Sequence, residues 1–348
     1  MTHAVTHAVT HAVTHAVTHA AADAAADAAA GRRRLMGAVF GAVAAAALAG
    51  CSASSGPAAR LRLATGPPGG PYNAFGRALA RAAADAGGGR LEIAPVATAA
   101  SVDNLRRLDE GSVDLALSMA DVAEDAALGR EPFARRVPVT ALARVYVNYT
   151  HLLVPAAGPV RSVADLAGRP VAVGAAGSGA QVVAARVLRA AGLSEGPAAA
   201  DERQLGLAES AAALRGGSVD AVFWSGGVPT PALTDLARAL PLRFLALDGL
   251  ADVLRRRFGP VYTPVTLPAG AYGLTAPVGT IGVGNYLLAR EDVAAGATAE
   301  LLRVVFDRRG DLLGEVTAGV RLEPRFAIST GAVPLHPGAV SYYRSVYG

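Results

Sequence analysis

Ser178 stands between Gly177 and Gly179, where a short apolar run, 171–175 (VAVGA), gives way to a helical pattern over 178–191. A serine in that setting can do one of two things. As a nucleophile on a G-x-S-x-G elbow it would need glycine at 176 and 180, and both positions are alanine. As an N-cap it can hold the helix's first N–H groups, or share them with a carboxylate, since those groups lack intrahelical acceptors. Capping alone and ligand contact are both open at this point. The stretch "LRLATGPPGGPYNAFGRALARAAAD", 61–85, repeats the arrangement of strand, loop and helix. Thr65, Gly66, Gly70, Tyr72 and Asn73 offer N–H groups, a hydroxyl, an amide and an aromatic face, and Pro67, Pro68 and Pro71 stiffen the loop.

Nucleotide chemistry is excluded by composition. All 32 Lys+Arg residues are Arg, so no phosphate-loop lysine exists. Residues 66–71, GPPGGP, place proline where a dinucleotide fingerprint needs glycine or free donors. Catalytic candidates are scarce too. His336, in PLHPGA, has no carboxylate nearby in sequence and reads as a structural turn, and His151, opening an apolar run, reads as structural. No Cys/His metal spacing occurs beyond residue 50, and neither a cofactor nor a metal is implied. Net charge is +4, aromatics are 5%, and no basic patch interleaves with them, so nucleic acid is not a partner.

The first 30 residues carry a THAV repeat and an alanine-rich run with no second apolar face, and read as a low-complexity extension: a repeat expansion or an overlong start. Residues 31–50 have three arginines at 32–34 and an apolar stretch from Leu35 to Leu48, followed by Ala49-Gly50-Cys51. That is a positive segment, a hydrophobic segment too short to span a bilayer, and small residues before a cut: a signal peptide. Leu48 to Cys51 resembles the bacterial lipobox, which would make Cys51, the single cysteine, the lipidated first residue of the mature chain. Residues 51–59 then serve as a flexible tether from the cell membrane.

With 52% hydrophobic residues in 348, the chain can bury a large core. From residue 60, strand-length apolar runs at 61–64, 91–96, 114–119, 151–155, 171–175, 220–224 and 242–247 alternate with helical patterns near 72–86, 101–110, 178–191, 208–216 and 229–239. Such alternation predicts an α/β fold with parallel strands and helices on both faces, the ligand crevice lying at the strands' carboxyl ends. Those ends put Ser101, Ser118, Ala120, Ser225 and Gly226 among the candidate ligand contacts. Ser101 also fits a helix cap, and Trp224, the only tryptophan, also fits core packing. "RLDEGSVDLALSMAD" (107–121) and "ALRGGSVDAVFWSGG" (213–227) echo one another, as two α/β lobes would.

Six segments in order resemble the TAXI-type solute receptors of TRAP transporters: "ATGPPGGPYNAFGRALA", "SVDNLRRLDEGSVDLALSMADVA", "VADLAGRPVAVGAAGSGAQVVAARVLRAAGL", "LRGGSVDAVFWSGGVPTPALTDLA", "TLPAGAYG" and "PLHPGAVSYYRSVYG". The resemblance implies a type II periplasmic-binding-protein architecture with two crossover segments, lobe I at 60–159 and 266–348 and lobe II at 160–265. It implies a non-enzymatic extracytoplasmic lipoprotein that closes on a small anionic or zwitterionic solute and delivers it to TRAP-type permease subunits. Where the family usually shows GSGT, this chain has Ala180, one hydroxyl fewer. A solute sensor for a membrane receptor, or an enzyme on the same scaffold, are the alternatives.

Overall fold

The computed structural model describes residues 59–86, 90–314, 316 and 322–348, so the expected extension, signal peptide, lipidated Cys51 and nearly all of the tether lie outside the described residues. Strands β1 (Ala59–Ala64), β2 (Leu91–Val96), β3 (Leu115–Met119), β4 (Val139–Pro155), β5 (Pro170–Ala172), β6 (Asp201–Arg203), β7 (Ala221–Gly226), β8 (Leu242–Phe244), β9 (Tyr262–Leu267) and β10 (Val278–Arg290) form one sheet. Its order is β2-β1-β3-β10-β4-β7-β5-β6, with β8 on β4 and β9 on β10. The helices are α1 (Pro71–Asp85), α2 (Ser101–Asp109), α3 (Ala120–Leu128), α4 (Gly179–Ala190), α5 (Leu207–Arg215), α6 (Pro231–Ala239), α7 (Ala251–Phe258), α8 (Ala295–Asp307), α9 (Arg309–Gly314), α10 (Pro324–Ala327) and α11 (Pro337–Tyr347).

Each half of the sheet is built the same way. β1 pairs in parallel with β2 and β3, and β5 pairs in parallel with β6 and β7. The all-parallel expectation needs correction, because β4, β8, β9 and β10 pair antiparallel. β4 and β10 cause this. β4 lies against β10 along its first part and against β7 from Tyr149 on, carrying the chain from one half to the other, and β10 returns it. This is the two-part α/β architecture of type II periplasmic binding proteins.

The sequence echo is a structural repeat. Gly111 and Gly217 each end a helix at positive φ (71° and 73°), a backbone that favours glycine. The valine after each, Val113 and Val219, is buried. The aspartate that follows then holds an arginine from the neighbouring strand segment: Asp114 with Arg62 at 2.9 Å, Asp220 with Arg169 at 3.2 Å.

Local sequence accounts for the helices that matter to the site. α1 starts with Pro71, whose missing N–H costs nothing there, and buries Tyr72, Phe75, Leu79, Ala82 and Ala83 at helical spacing. Burying Phe75 and Leu79 alone stabilises the fold by about 1.5–3 kcal/mol each. α11 starts at His336, whose Nδ1 accepts from Gly338 N–H at 3.1 Å and lies 3.0 Å from Thr298 Oγ1. His336 is therefore a helix cap. His151 sits fully buried inside β4, its Nε2 3.1 Å from Tyr272 Oη.

Candidate functional site

Five helices of the two halves point their N-termini at one small cavity of about 60 Å³. Gly70, Ala100, Met119, Ser178 and Gly206, the N-cap residues of α1 to α5, all line it. The N–H groups of a helix's first turn have no acceptor within the helix, and the macrodipole puts partial positive charge there. Five such ends around one space make an electropositive site without any cation. Among the described residues, no Arg, His, Asp or Glu lines it. An anion held here is neutralised by backbone dipoles.

One wall carries an orphan. Asn148, on β4 opposite Val283, is 3% exposed and lines the cavity, and its Oδ1 has no hydrogen-bond partner. A buried amide oxygen without a partner costs about 1–3 kcal/mol unless something satisfies it. Ala100 adds a second strained feature: its φ is +82°, in a region that L residues seldom adopt.

The structure brings nine of the sequence candidates to this cavity: Gly66, Gly70, Tyr72, Ser101, Ser178, Gly179, Ala180, Trp224 and Ser225. Ser178 Oγ accepts from Gln181 N–H at 3.2 Å, so it caps α4 while facing the cavity. Ser101 Oγ accepts from Met119 N–H at 3.1 Å. Tyr72 Oη donates to Asn285 Oδ1 at 2.5 Å, and burial raises its pKa far above the ordinary tyrosine value, so it stays a neutral donor. Trp224 turns its indole along the wall and donates from Nε1 to Thr230 Oγ1 at 3.0 Å.

Six candidates lie elsewhere. Thr65 is fully buried and donates to Val96 O at 2.9 Å, a bond that ties β1 to β2. Asn73 follows Tyr72 by one residue, about 100° around the helix, and faces a separate groove with Arg77 and Pro229. Ser118 is buried on the opposite strand face from Met119, as the period of two requires. Ala120 is buried in the first turn of α3. Gly226 lies under the indole, where a Cβ would come within 2.5 Å of Trp224 Nε1. Gly177 borders the other side of its loop, and its carbonyl accepts from Val102 and Asp103 N–H. Asn148, Met119, Ala100, Gly206 and Leu207 were not among the sequence candidates.

The halves meet around the cavity. Ser225 Oγ lies 3.6 Å from Met119 Sδ, strand end against strand end. Gly179 packs so closely that a Cβ would come within 2.6 Å of Met119 Sδ and 2.7 Å of Ser101 Oγ. Deeper, Arg186 of α4 pairs with Asp121 of α3 at 3.2 Å and with Asp125, and accepts company from Tyr262, whose Oη it donates to at 2.6 Å.

Residues 63–346 match the model of the NMT1-like family. Among solved structures, the chain is similar to the periplasmic aliphatic sulphonate binding protein SsuA from Escherichia coli, at 19% identity over 82% of this chain and 78% of that one, TM-score 0.45. It is similar also to the alkanesulfonate-binding protein SsuA from Xanthomonas axonopodis pv. citri bound to MOPS, at 20% identity over 83% and 85%, TM-score 0.45. The GluR0 ligand-binding core in complex with L-glutamate matches at 16% identity over 75% and 100%, TM-score 0.45.

Proposed function

This chain belongs to the NMT1-like family, and we propose that it is an extracytoplasmic solute receptor that closes its two lobes over a small organic anion. The observation that carries this reading is the cavity itself: five helix N-termini, no ionised side chain, and the unpartnered Asn148 Oδ1. The dipoles take a carboxylate. Asn148, as acceptor, takes a donor on the same solute, an ammonium or a hydroxyl. A compact α-amino or α-hydroxy carboxylate carries both groups on adjacent carbons and is small enough to suit a space of about 60 Å³.

The mechanism is capture by closure. Solute carboxylate satisfies first-turn N–H groups that remain free on both lobes, those of α1 on one side and of α4 and α5 on the other, so binding energy rises only when the lobes approach. The lining holds no acid–base pair and no nucleophile–base pair, which favours binding over chemistry. The division into lobe I, 60–159 with 266–348, and lobe II, 160–265, belongs to this reading. So do the lipid anchor at Cys51 and delivery to TRAP-type permease subunits, for which the ordered motifs quoted above are the support.

Calorimetric titration tests the reading. L-alanine, L-lactate and L-glutamate are compared with propionate, succinate and methanesulfonate. Carboxylates with an α-donor bind, and propionate, lacking it, binds about tenfold more weakly. If no member of the panel binds, the receptor reading for small carboxylates is wrong.

A further inference from the structure

Behind Gly177 and Gln181, on the far side of the loop that closes the cavity, runs a groove of about 860 Å³. Six exposed arginines line it: Arg106, Arg130, Arg189, Arg255, Arg256 and Arg257. None of the six forms an ion pair among the described residues. Among the described residues two carboxylates line the groove, Asp125, which pairs with Arg186 and also lies in the field of Arg130, and Glu131, so five of the six arginines have no such partner at hand. Arg106, Arg189 and Arg255 to Arg257 lie in the last turns of α2, α4 and α7, where a cation complements the helix dipole. One charge per helix end suffices for that purpose. The groove holds more, and unneutralised guanidiniums crowded together repel each other unless a counter-charge sits among them.

We infer that this groove is a docking surface for an acidic protein segment, engaged when the two lobes are closed. Both lobes build it: Arg106 and Arg130 come from one, Arg189 and Arg255 to Arg257 from the other. Opening the lobes separates the two sets, so the full charge array exists only in the closed form, a dependence that rests on the closure described above. The shape favours a chain segment over a flat membrane. The groove is concave, and Val182, Ala185 and Phe258 give it an apolar floor that a peptide side chain can cover. Guanidinium forks fit carboxylates in two-point hydrogen bonds. The groove and the cavity share the start of α4, so a partner in the groove grips the segment that holds the solute.

The test uses fluorescence anisotropy with a fluorescein-labelled ten-glutamate peptide. The wild type binds it, with affinity falling as salt rises. The triple variant Arg255→Glu, Arg256→Glu, Arg257→Glu binds at least about tenfold more weakly. A triple variant with the same net charge, Arg161→Glu, Arg215→Glu, Arg325→Glu, stays within about twofold of wild type. Equal losses in the two triples would mean non-specific attraction and would overturn the proposal. So would binding to phosphatidylglycerol vesicles that needs Arg255 to Arg257 while the peptide does not bind. Thermal unfolding confirms that both triples fold, and Arg130→Ala with Arg106→Ala gives a milder second probe with a loss in the same direction. The two triples are compared without solute, where the peptide meets the arginines of each lobe. Adding L-lactate then tightens the peptide on wild type by at least about threefold and leaves Gly179→Ala, whose new Cβ crowds Met119 and Ser101, unchanged. Equal effects of L-lactate on the two proteins overturn the dependence on closure. Failure of the solute panel leaves the comparison of the triples intact, because it contains no solute.

Discussion

The backbone carbonyl of Gly177 accepts from Val102 N–H at 3.1 Å, and from the next residue's N–H at 3.3 Å, so the loop before α4 caps the start of α2. One helix of each lobe is thereby tied to the other beside the cavity. The contact uses backbone atoms, yet it depends on side chains that are small enough to let the lobes approach.

Gly179→Ala is the sharpest test of that approach. The new Cβ would meet Met119 Sδ at 2.6 Å and Ser101 Oγ at 2.7 Å, closer than real Cβ atoms come. Gly179 is the first residue of α4 and its φ is not in the left-handed region, so the backbone there accepts alanine. The variant therefore stays folded, while small-angle scattering with solute shows no compaction and affinity falls by at least about tenfold. Normal compaction and affinity would show that the lobes close differently.

Ser178→Ala separates cap from ligand contact. Loss of the bond from Gln181 N–H costs about 1 kcal/mol, read by thermal unfolding without solute. Loss of a hydrogen bond to the solute's carboxylate costs roughly 1.5–3 kcal/mol more, read by titration. If stability drops but affinity stays within about twofold, Ser178 acts only as a cap.

Arg186 is the charge that holds two buried carboxylates. Burial opposes its charge, but Asp121, Tyr262 and Asp125 outweigh that and raise its pKa. Burial raises the pKa of Asp125 despite Arg186, so removing the arginine removes the charge that favours its ionised form. Arg186→Met costs about 3–5 kcal/mol at neutral pH, since one side of a buried pair is left without the other. The deficit shrinks as pH falls and Asp125 protonates. A deficit that is the same at pH 7 and pH 4 would contradict this.

His151 sets a second pH dependence. Burial lowers its pKa from 6.5 to about 4, with hydrogen bonding at Tyr149 and Trp224 opposing. A histidine depressed in the folded state contributes stability that is full above 6.5 and is lost as pH falls toward 4. The wild type therefore loses on the order of 3 kcal/mol across that window relative to His151→Gln, by chemical denaturation at each pH. Parallel pH profiles would place the titration elsewhere.

Much of this was legible in the chain. Each α/β unit announces itself by an apolar run, a glycine or small residue, then helical spacing, and the GSVD echo marked both halves. The N-cap serines, 101 and 178, could be read because capping has a local signature. Asn148 could not. β4 lies in the middle of the sheet, covered on both faces, so "VTALARVYVN" shows no alternation and only its end at 151–155 reads as a strand. A polar side chain inside such a run was the available signal, since burial without a partner is costly. Thr65, Asn73 and Ser118 were read from the right loops and strand ends, but which way a side chain turns there is set by packing, not by spacing. β9 and β10 broke the alternation for the same reason that they matter: they return the chain between lobes.

The most direct measurement is a titration of L-lactate and propionate into wild type and Asn148→Leu, followed by calorimetry and by the fluorescence of Trp224, the single tryptophan, which lines the cavity. Without solute, Asn148→Leu unfolds at the same temperature as wild type or higher, because it removes an unpartnered buried oxygen. With solute, wild type prefers lactate over propionate by about tenfold, and the preference disappears in the variant. A preference for lactate that survives Asn148→Leu unchanged would contradict the account, since the donor on the solute would then be read by another group.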